Sequence, residues 1–230
     1  MEALILVAVL ILGFIALFNK NHAERELISS ATDLHRGNHS EQRLVLALRK
    51  KGVHPEAIFH DLYLKKRNGS YSQIDLVMAT SVGLIVFEVK DYVGWIFGSG
   101  NSTYWTQVLA YGKEKYRLYN PIIQNRRHIE ELRKVSPQFE QTPMFSVILF
   151  YGDCEFKKLN SIPEKFAFLF VGQWTHRNLY HDRKDIGNLI KTFSNTFKDK
   201  SPENRPCLLL KTSGVNFSVV DRDEILGRIK

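Results

Sequence analysis

Hydrophobicity is unevenly distributed along this chain of 230 residues. From Ala3 to Phe18 it is continuous apart from the small Gly13, and the run approaches the ~20 residues that cross a bilayer as a helix. A secretory signal peptide or a buried core helix can give a similar pattern. A signal peptide, however, opens on basic residues and closes on small ones. Here the one early charge is Glu2, and the run ends Leu17-Phe18-Asn19-Lys20. The pattern therefore predicts an uncleaved anchor over residues 1–19, followed by a polar juxtamembrane linker or short helix over 20–36. Bases follow the apolar run at Lys20, Arg25, Arg36, Arg43, Arg49, Lys50 and Lys51. The positive-inside rule then places the remaining bulk in the cytoplasm, as a single-pass membrane protein.

From residue 37 onward the periodicity changes. Leu44, Val45 and Leu48 share a helical face with Glu41, at i+3, i+4 and i+7, and Gly52 is a suitable stop. Residues 57–64 read as a strand, and Asn68-Gly69-Ser70 as a turn. Two runs apolar on both faces follow, at 73–79 and 84–90, joined by Thr80-Ser81-Val82-Gly83. This is the signature of a hairpin in the middle of a sheet covered on each side. Gly94, Gly98 and Gly100 suggest turns, and residues 102–108 a further strand. Asn120-Pro121 opens a helix that runs to about residue 135, with Asn as N-cap and Pro at its first position. Beyond it lie strands at 145–151 and 166–171, a helix near 185–197 and a closing strand pair at 207–211 and 215–220. The fold class is α/β: a central mixed sheet flanked by helices, preceded by one transmembrane helix, with the domain proper at 37–230.

Composition adds three constraints. With 44% apolar and 24% charged residues the chain is globular. Its two cysteines, Cys154 and Cys207, match no zinc-ligand spacing and read as reduced thiols of a cytosolic domain. The formal charge is +8, and becomes +9 once residues 1–19 are set aside, with 32 bases against 23 acids. Such an excess favours an anionic partner, and charge alone does not choose between nucleic acid and an anionic membrane surface.

The hairpin then supplies chemistry. If Ala79 pairs with Leu84, Asp75 falls opposite Glu88, and Lys90 shares that face. Two opposed carboxylates inside apolar strands repel each other and resist burial. A divalent cation relieves both costs, and Mg²⁺ commonly takes one or two carboxylates plus water and phosphate oxygens. Lys90 is placed to orient or activate a water, or to stabilise charge in a transition state. Glu41, on the inward face of its helix, can reach the same edge. It also stands three residues after Asn38, where Glu completes a capping-box-like pairing. The helix from 120 carries Gln124 in its first turn and His128 one turn later, with Arg126, Arg127, Arg133 and Lys134 along it. A helix N-terminus with Gln and Arg suits a phosphate; a solvated basic face gives the same pattern. Trp95 and Phe97 are suited either to stacking on bases or to core packing.

These residues resemble a known family. Gly37-x-x-Ser40-Glu41, Gln73-Ile74-Asp75, Phe87-Glu88-Val89-Lys90, Gly94, Gly98, Trp105 and Asn120-Pro121-x-x-Gln124-Asn125 occur in the order of the nuclease-related domain, NERD. That domain belongs to the PD-(D/E)xK nuclease superfamily. The family pattern has glycine where this chain has Ser40. The resemblance covers roughly residues 35–150 and implies a restriction-endonuclease-like fold, metal dependence and a DNA substrate, with RNA left open. It implies a site of Glu41, Asp75, Glu88, Lys90 and Gln124. Asp75, Glu88 and the backbone carbonyl of Val89 would hold Mg²⁺ or Mn²⁺. Arg126, Arg127, His128, Arg133 and Lys134 are the expected nucleic-acid contacts. A non-catalytic module that holds DNA or a partner at the membrane is the alternative on the same residues.

Overall fold

The computed structural model describes residues 2–66, 68–81, 83–100, 102–160, 167–171, 198–199 and 207–211, with residues 2–11 entering through their backbone alone. The helix α1 spans Glu2–Ser29, so residues 20–29, the first part of the stretch read as a juxtamembrane linker or short helix, are helical. Among the described residues no helix is long and apolar enough to cross a membrane, so the transmembrane helix of the expected architecture is not reproduced there. The end of α1 instead turns toward the domain, where Ile28 and Ala31 pack on its core.

The helix α2 (His39–Lys50) has the predicted inward face, with Leu44, Val45 and Leu48 buried. The strands β1 (Ile58–Lys65), β2 (Tyr71–Thr80) and β3 (Gly83–Asp91) form an antiparallel meander. Ala79 does pair with Leu84, but both strands extend further into the turn than expected. The connection is thus residues 81–82 rather than four residues. Gly83 has φ +135, and a Cβ there would strike the Pro143 carbonyl, which accepts the Leu84 N–H at 2.8 Å.

Beyond the meander come β4 (Gly94–Ser99), β5 (Tyr104–Leu109), β6 (Glu114–Tyr119), α3 (Pro121–Arg133), the short α4 (Pro137–Gln141), β7 (Met144–Tyr151) and β8 (Cys154–Asn160). β9 (Ala167–Val171) and β10 (Cys207–Lys211) follow. Among the described residues the strands form two sheets, ordered β1-β2-β3-β7-β10-β9 and β6-β5-β4-β8. The helix expected at 185–197 and the strand at 215–220 lie outside the described residues. β10 runs parallel to β7 on one side and β9 on the other, so it is an interior strand.

The second sheet was underestimated from sequence. Gly94 and Gly98 belong to a strand rather than to turns. Glycine is required at Gly94 because φ is +78 and a Cβ would meet the Val108 carbonyl, and at Gly98 because the Trp105 ring lies over the backbone. Trp105 in turn stacks on Phe150, with ring centroids 6.2 Å apart. That contact, with Ile96, Ile122, Ile148 and Phe156, joins the two sheets through one apolar cluster.

The main sheet is creased. Alternation should keep residues 74, 76 and 78 on one face, yet Leu76 and Met78 pack with α2 while Ile74 joins Val86 and Leu132 on the α3 side. In β1 the same reversal separates Ile58 from Leu62. It occurs at Asp61, whose φ of +52 is tolerated best by residues such as Asp and Asn. The two ladders skip the aspartates: His60 pairs with Leu76 and Leu62 with Ile74, and the β2–β3 ladder ends at Leu76 with Phe87. Asp61 and Asp75 therefore stand together where the sheet changes face.

Asn120 fastens α3 to this scaffold. It is fully buried; its oxygen caps the Ile122 N–H at 2.9 Å, and its amide donates to the Ser99, Gly100 and Ser102 carbonyls at 3.1, 3.3 and 2.7 Å. Replacing it with Ala removes an N-cap and takes a donor from the Gly100 and Ser102 carbonyls in the interior, while Ser99 keeps the Trp105 indole N–H at 2.9 Å. Asn120→Ala is expected to cost about 2–4 kcal/mol in urea or thermal unfolding, and a loss below about 1 kcal/mol would contradict this role.

Candidate active site

The crease opens a cleft of about 500 Å³ onto which the first turns of α2 and α3 both face. Its lining contains Glu41 from α2, Asp75 from β2, Glu88, Val89 and Lys90 from β3, and Gln124 from α3. The five side chains predicted from sequence, and the backbone predicted as a ligand, thus surround one cavity.

Glu41 is held from several sides. The Asn38 side chain accepts from Ser40 N at 2.9 Å and Glu41 N at 3.0 Å, and its amide donates to Glu41 Oε1. This is the expected capping position with a variation, since the Glu41 oxygen takes the cap's side-chain amide. The carboxylate is 3% exposed, and its other oxygen lies 3.4 Å from His60 Nε2. His60 Nδ1 is 2.9 Å from the Thr32 hydroxyl. Gly37 has φ +65, and any Cβ there would collide with both Glu41 and His60. Ser40, at the position of a family glycine, hydrogen-bonds through its hydroxyl to Asp91 at the end of β3. The motif Gly37-x-x-Ser40-Glu41 therefore supplies clearance, a helix cap, a tie to the central hairpin and an inward carboxylate.

On the hairpin, the Asp75 carboxylate takes the place of a ladder partner: its Oδ2 accepts the Val89 N–H at 2.7 Å. Burial first, and then the Glu88 charge, push its carboxyl up to about 7; the Val89 N–H opposes them. Glu88 is 1% exposed. One of its oxygens accepts from Lys90 Nζ, and the other faces His128 Nε2 across 3.2 Å. Lys90 also donates to Gln124 Oε1 at 3.2 Å. Burial pulls the Lys90 ammonium down, but Glu88, by charge and by hydrogen bond, more than offsets this and holds it above its ordinary value. An ammonium has three donors, and Glu88 and Gln124 take two.

Sequence reasoning passed over part of the cleft. Asp61 is buried and also lines it, accepting from Gln73 Nε2 at 2.8 Å and pairing with Arg36 at 3.5 Å. Tyr63 stands beside it with its hydroxyl pKa raised, chiefly by the Asp61 charge. Nothing in the local pattern marked Asp61, because its place depends on the left-handed backbone at that residue. His60 was missed for a similar reason, its role being set by the approach of α2.

The basic set divides. His128 is 7% exposed and turned inward, with Nδ1 at 3.2 Å from the Ser72 hydroxyl, so it faces Glu88 rather than solvent. Arg126 and Arg127 are exposed, and Arg127 lies over the Tyr119 ring at 5.4 Å. Arg133 donates to the Phe139 and Glu140 carbonyls and Lys134 pairs with Glu131, so both are engaged at the far end of α3 rather than at the cleft.

Among the described residues no cluster of three or more His, Cys, Asp or Glu has the geometry to hold a metal ion. The arrangement does fit a cation that keeps much of its water shell. Asp75 and Glu88 crowd two carboxylates into a buried space, and the buried Glu41 Oε2 and Glu88 Oε2 face His60 Nε2 and His128 Nε2 without making a hydrogen bond among the described residues. Oxygen donors of this kind suit Mg²⁺ or Mn²⁺.

Comparison with known proteins agrees with this architecture. The chain is 32% identical over 103 residues to an uncharacterized protein of Bacillus anthracis, an alignment covering 45% of this chain and 47% of that protein. The chain thus spans about half the length of the curated relative it matches. No solved structure matches it. The model of the nuclease-related domain matches residues 36–151, just over half of the chain and the segment that builds the cleft; the protein belongs to the nuclease-related domain family, whose general assignment is to the PD-(D/E)xK nuclease superfamily.

Proposed function

We propose that the protein is a metal-dependent nuclease that hydrolyses DNA phosphodiester bonds. The observation that carries this reading is the convergence of Asp75, Glu88 and Lys90 with Glu41 and Gln124 on one open cleft, in a chain of the nuclease-related family. Asp75, Glu88 and the Val89 carbonyl would hold a divalent cation, Mg²⁺ or Mn²⁺. Such an ion polarises the phosphoryl oxygen and acidifies a bound water. Lys90 donates its remaining N–H to the attacking water or to the phosphate oxygen on which charge develops. Gln124 fixes the direction of the Lys90 ammonium through its 3.2 Å contact. Glu41 would act on the water shell of such an ion, and Asn38 and His60 keep its carboxylate turned inward. Arg126 and Arg127, exposed on α3, are the members of the basic set placed to meet the nucleic-acid backbone.

In this reading residues 1–19 anchor the protein in a membrane with the nuclease domain, 37–230, on the cytoplasmic side. The uninterrupted apolar run and the bases that follow it support the placement. A second reading, a module that holds DNA without cutting it, uses the same exposed Arg126 and Arg127. Both readings share the site and differ in turnover.

Three outcomes are expected. Lys90→Ala removes Mg²⁺- or Mn²⁺-dependent cleavage of linear and circular DNA, by 10²-fold or more for loss of a positioned charge, while the melting curve stays cooperative. Undiminished cleavage in Lys90→Ala would end the assignment. DNA bound in EDTA or Ca²⁺ but not cut in Mg²⁺ or Mn²⁺ would favour the binding module.

The second concerns pH. Because the Asp75 carboxyl is raised to about 7, the folded chain retains a proton that the unfolded chain loses near the ordinary value of 3.8. Stability attributable to this group therefore falls as pH rises from about 4 to 7 and stays low above it. Asp75→Asn is expected to raise the melting temperature at pH 8 by several degrees, with the gain fading toward pH 4. Mg²⁺ should raise the wild-type value at pH 8 and leave Asp75→Asn nearly unmoved. A gain independent of pH would contradict the account.

The third concerns location. Deleting residues 2–19 should move the protein from the membrane fraction to the supernatant, and an unchanged distribution would remove the anchor.

A further inference from the structure

The second sheet has two unlike faces. Ile96, Trp105 and Leu118 point into the apolar cluster beneath it. By strand alternation and pairing, the opposite face carries Trp95, Phe97, Tyr104, Tyr119 and Arg117. Tyr104 is 47% exposed, and the Arg117 guanidinium lies over its ring at 4.1 Å. Tyr104 and Tyr119 meet edge to face at 6.0 Å. At the other end of the face, Lys157 covers the Trp95 ring at 5.1 Å. Aromatic rings with cations resting on them are the components of surfaces on which unpaired bases stack and their phosphates are neutralised.

This face continues into the candidate active site. Tyr119 and Arg127 line a second cavity of about 260 Å³ together with Gln124 and His128. Gln124 also lines the catalytic cleft, where it binds Lys90. An unbroken path runs from Arg117 over Tyr104 to Tyr119, past Arg127 and Gln124, to Lys90.

We propose that the second sheet and the Tyr119–Arg127 cavity form a track for single-stranded DNA, which delivers one unpaired strand to the catalytic cleft. The track selects unpaired over duplex substrate because stacking on Tyr104 and Tyr119 requires exposed base faces, which a duplex presents only at its ends. The inference deepens the nuclease reading, and its last step, delivery to Lys90, rests on that reading.

The test is fluorescence anisotropy of the full chain with a labelled single-stranded oligonucleotide and with its duplex, in EDTA so that nothing is cut. The single strand should bind at least tenfold more tightly. Tyr104→Leu and Tyr119→Leu should each weaken single-strand binding by about tenfold and leave duplex binding unmoved. Tyr104→Phe and Tyr119→Phe keep the ring and should bind like wild type, which guards against a folding defect in the Leu variants. Arg117→Gln should reduce the slope of log K against log salt by about 0.7. Equal affinity for the two forms, wild-type binding by folded Leu variants, or loss of binding in both Phe variants overturns the track. Absence of the preference while Lys90→Ala still abolishes cleavage defeats the track alone. A preserved preference with no cleavage in any divalent cation defeats the nuclease reading alone.

Discussion

Two carboxylates forced together away from water govern the design of this domain. Asp75 and Glu88 sit at the joint of two central strands, where burial first and then the Glu88 charge push the Asp75 carboxyl up to about 7. In an ordinary antiparallel ladder the backbone groups of paired strands satisfy one another. Here the ladder stops at Leu76 and Phe87, and the Asp75 side chain satisfies the Val89 N–H instead. The fold thus accepts a like-charge repulsion and a shortened ladder at one point. The apolar layers against α2 and α3 supply the stability that makes this tolerable.

The rest of the site follows from holding that joint open. Gly37 lets the start of α2 approach Glu41 and His60 more closely than any side chain would allow. Ser40 ties the same turn to Asp91. On the opposite side, Asn120 sets the start of α3, and Asn125 reaches from that helix to the Val86 carbonyl and the Ser146 hydroxyl at 2.8 and 2.9 Å. Gln124, between these two asparagines, is therefore presented to Lys90 by a helix fixed at two buried points. The conspicuous polar residues of the motifs serve two purposes, and only some of them face the cleft.

Much of this was legible in the sequence because it depends on local pattern. The face of α2, the Asn caps, the hairpin and its register all follow from periodicity and turn chemistry, and the register alone brought Asp75 near Glu88-x-Lys90. The crease was not legible. It depends on the left-handed backbone of Asp61, which any strand-forming pattern conceals, and it brought in Asp61 and Tyr63 unannounced. The second sheet was obscured by glycine: Gly94 and Gly98 are turn residues by propensity, and their actual reason is a neighbouring carbonyl and an indole ring. His128 looked like part of a basic surface because it lies among arginines, whereas helical spacing points it inward toward Glu88. A charge list does not distinguish the two faces of α3.

Charge placement gives the arrangement its direction. The protein carries a net +8, yet the cleft concentrates Glu41, Asp61, Asp75 and Glu88 around Lys90. A polyanion approaching such a cleft is attracted by the protein as a whole and repelled by its destination. Two features of the fold reduce that repulsion, the capped start of α2 at the cleft and the pairing of Asp61 with Arg36; on the proposed nuclease reading a cation between Asp75 and Glu88 would be a third. On the proposed nuclease reading the cleft would repel its substrate until a cation arrived, so cation and substrate binding at the cleft would be coupled without any moving part.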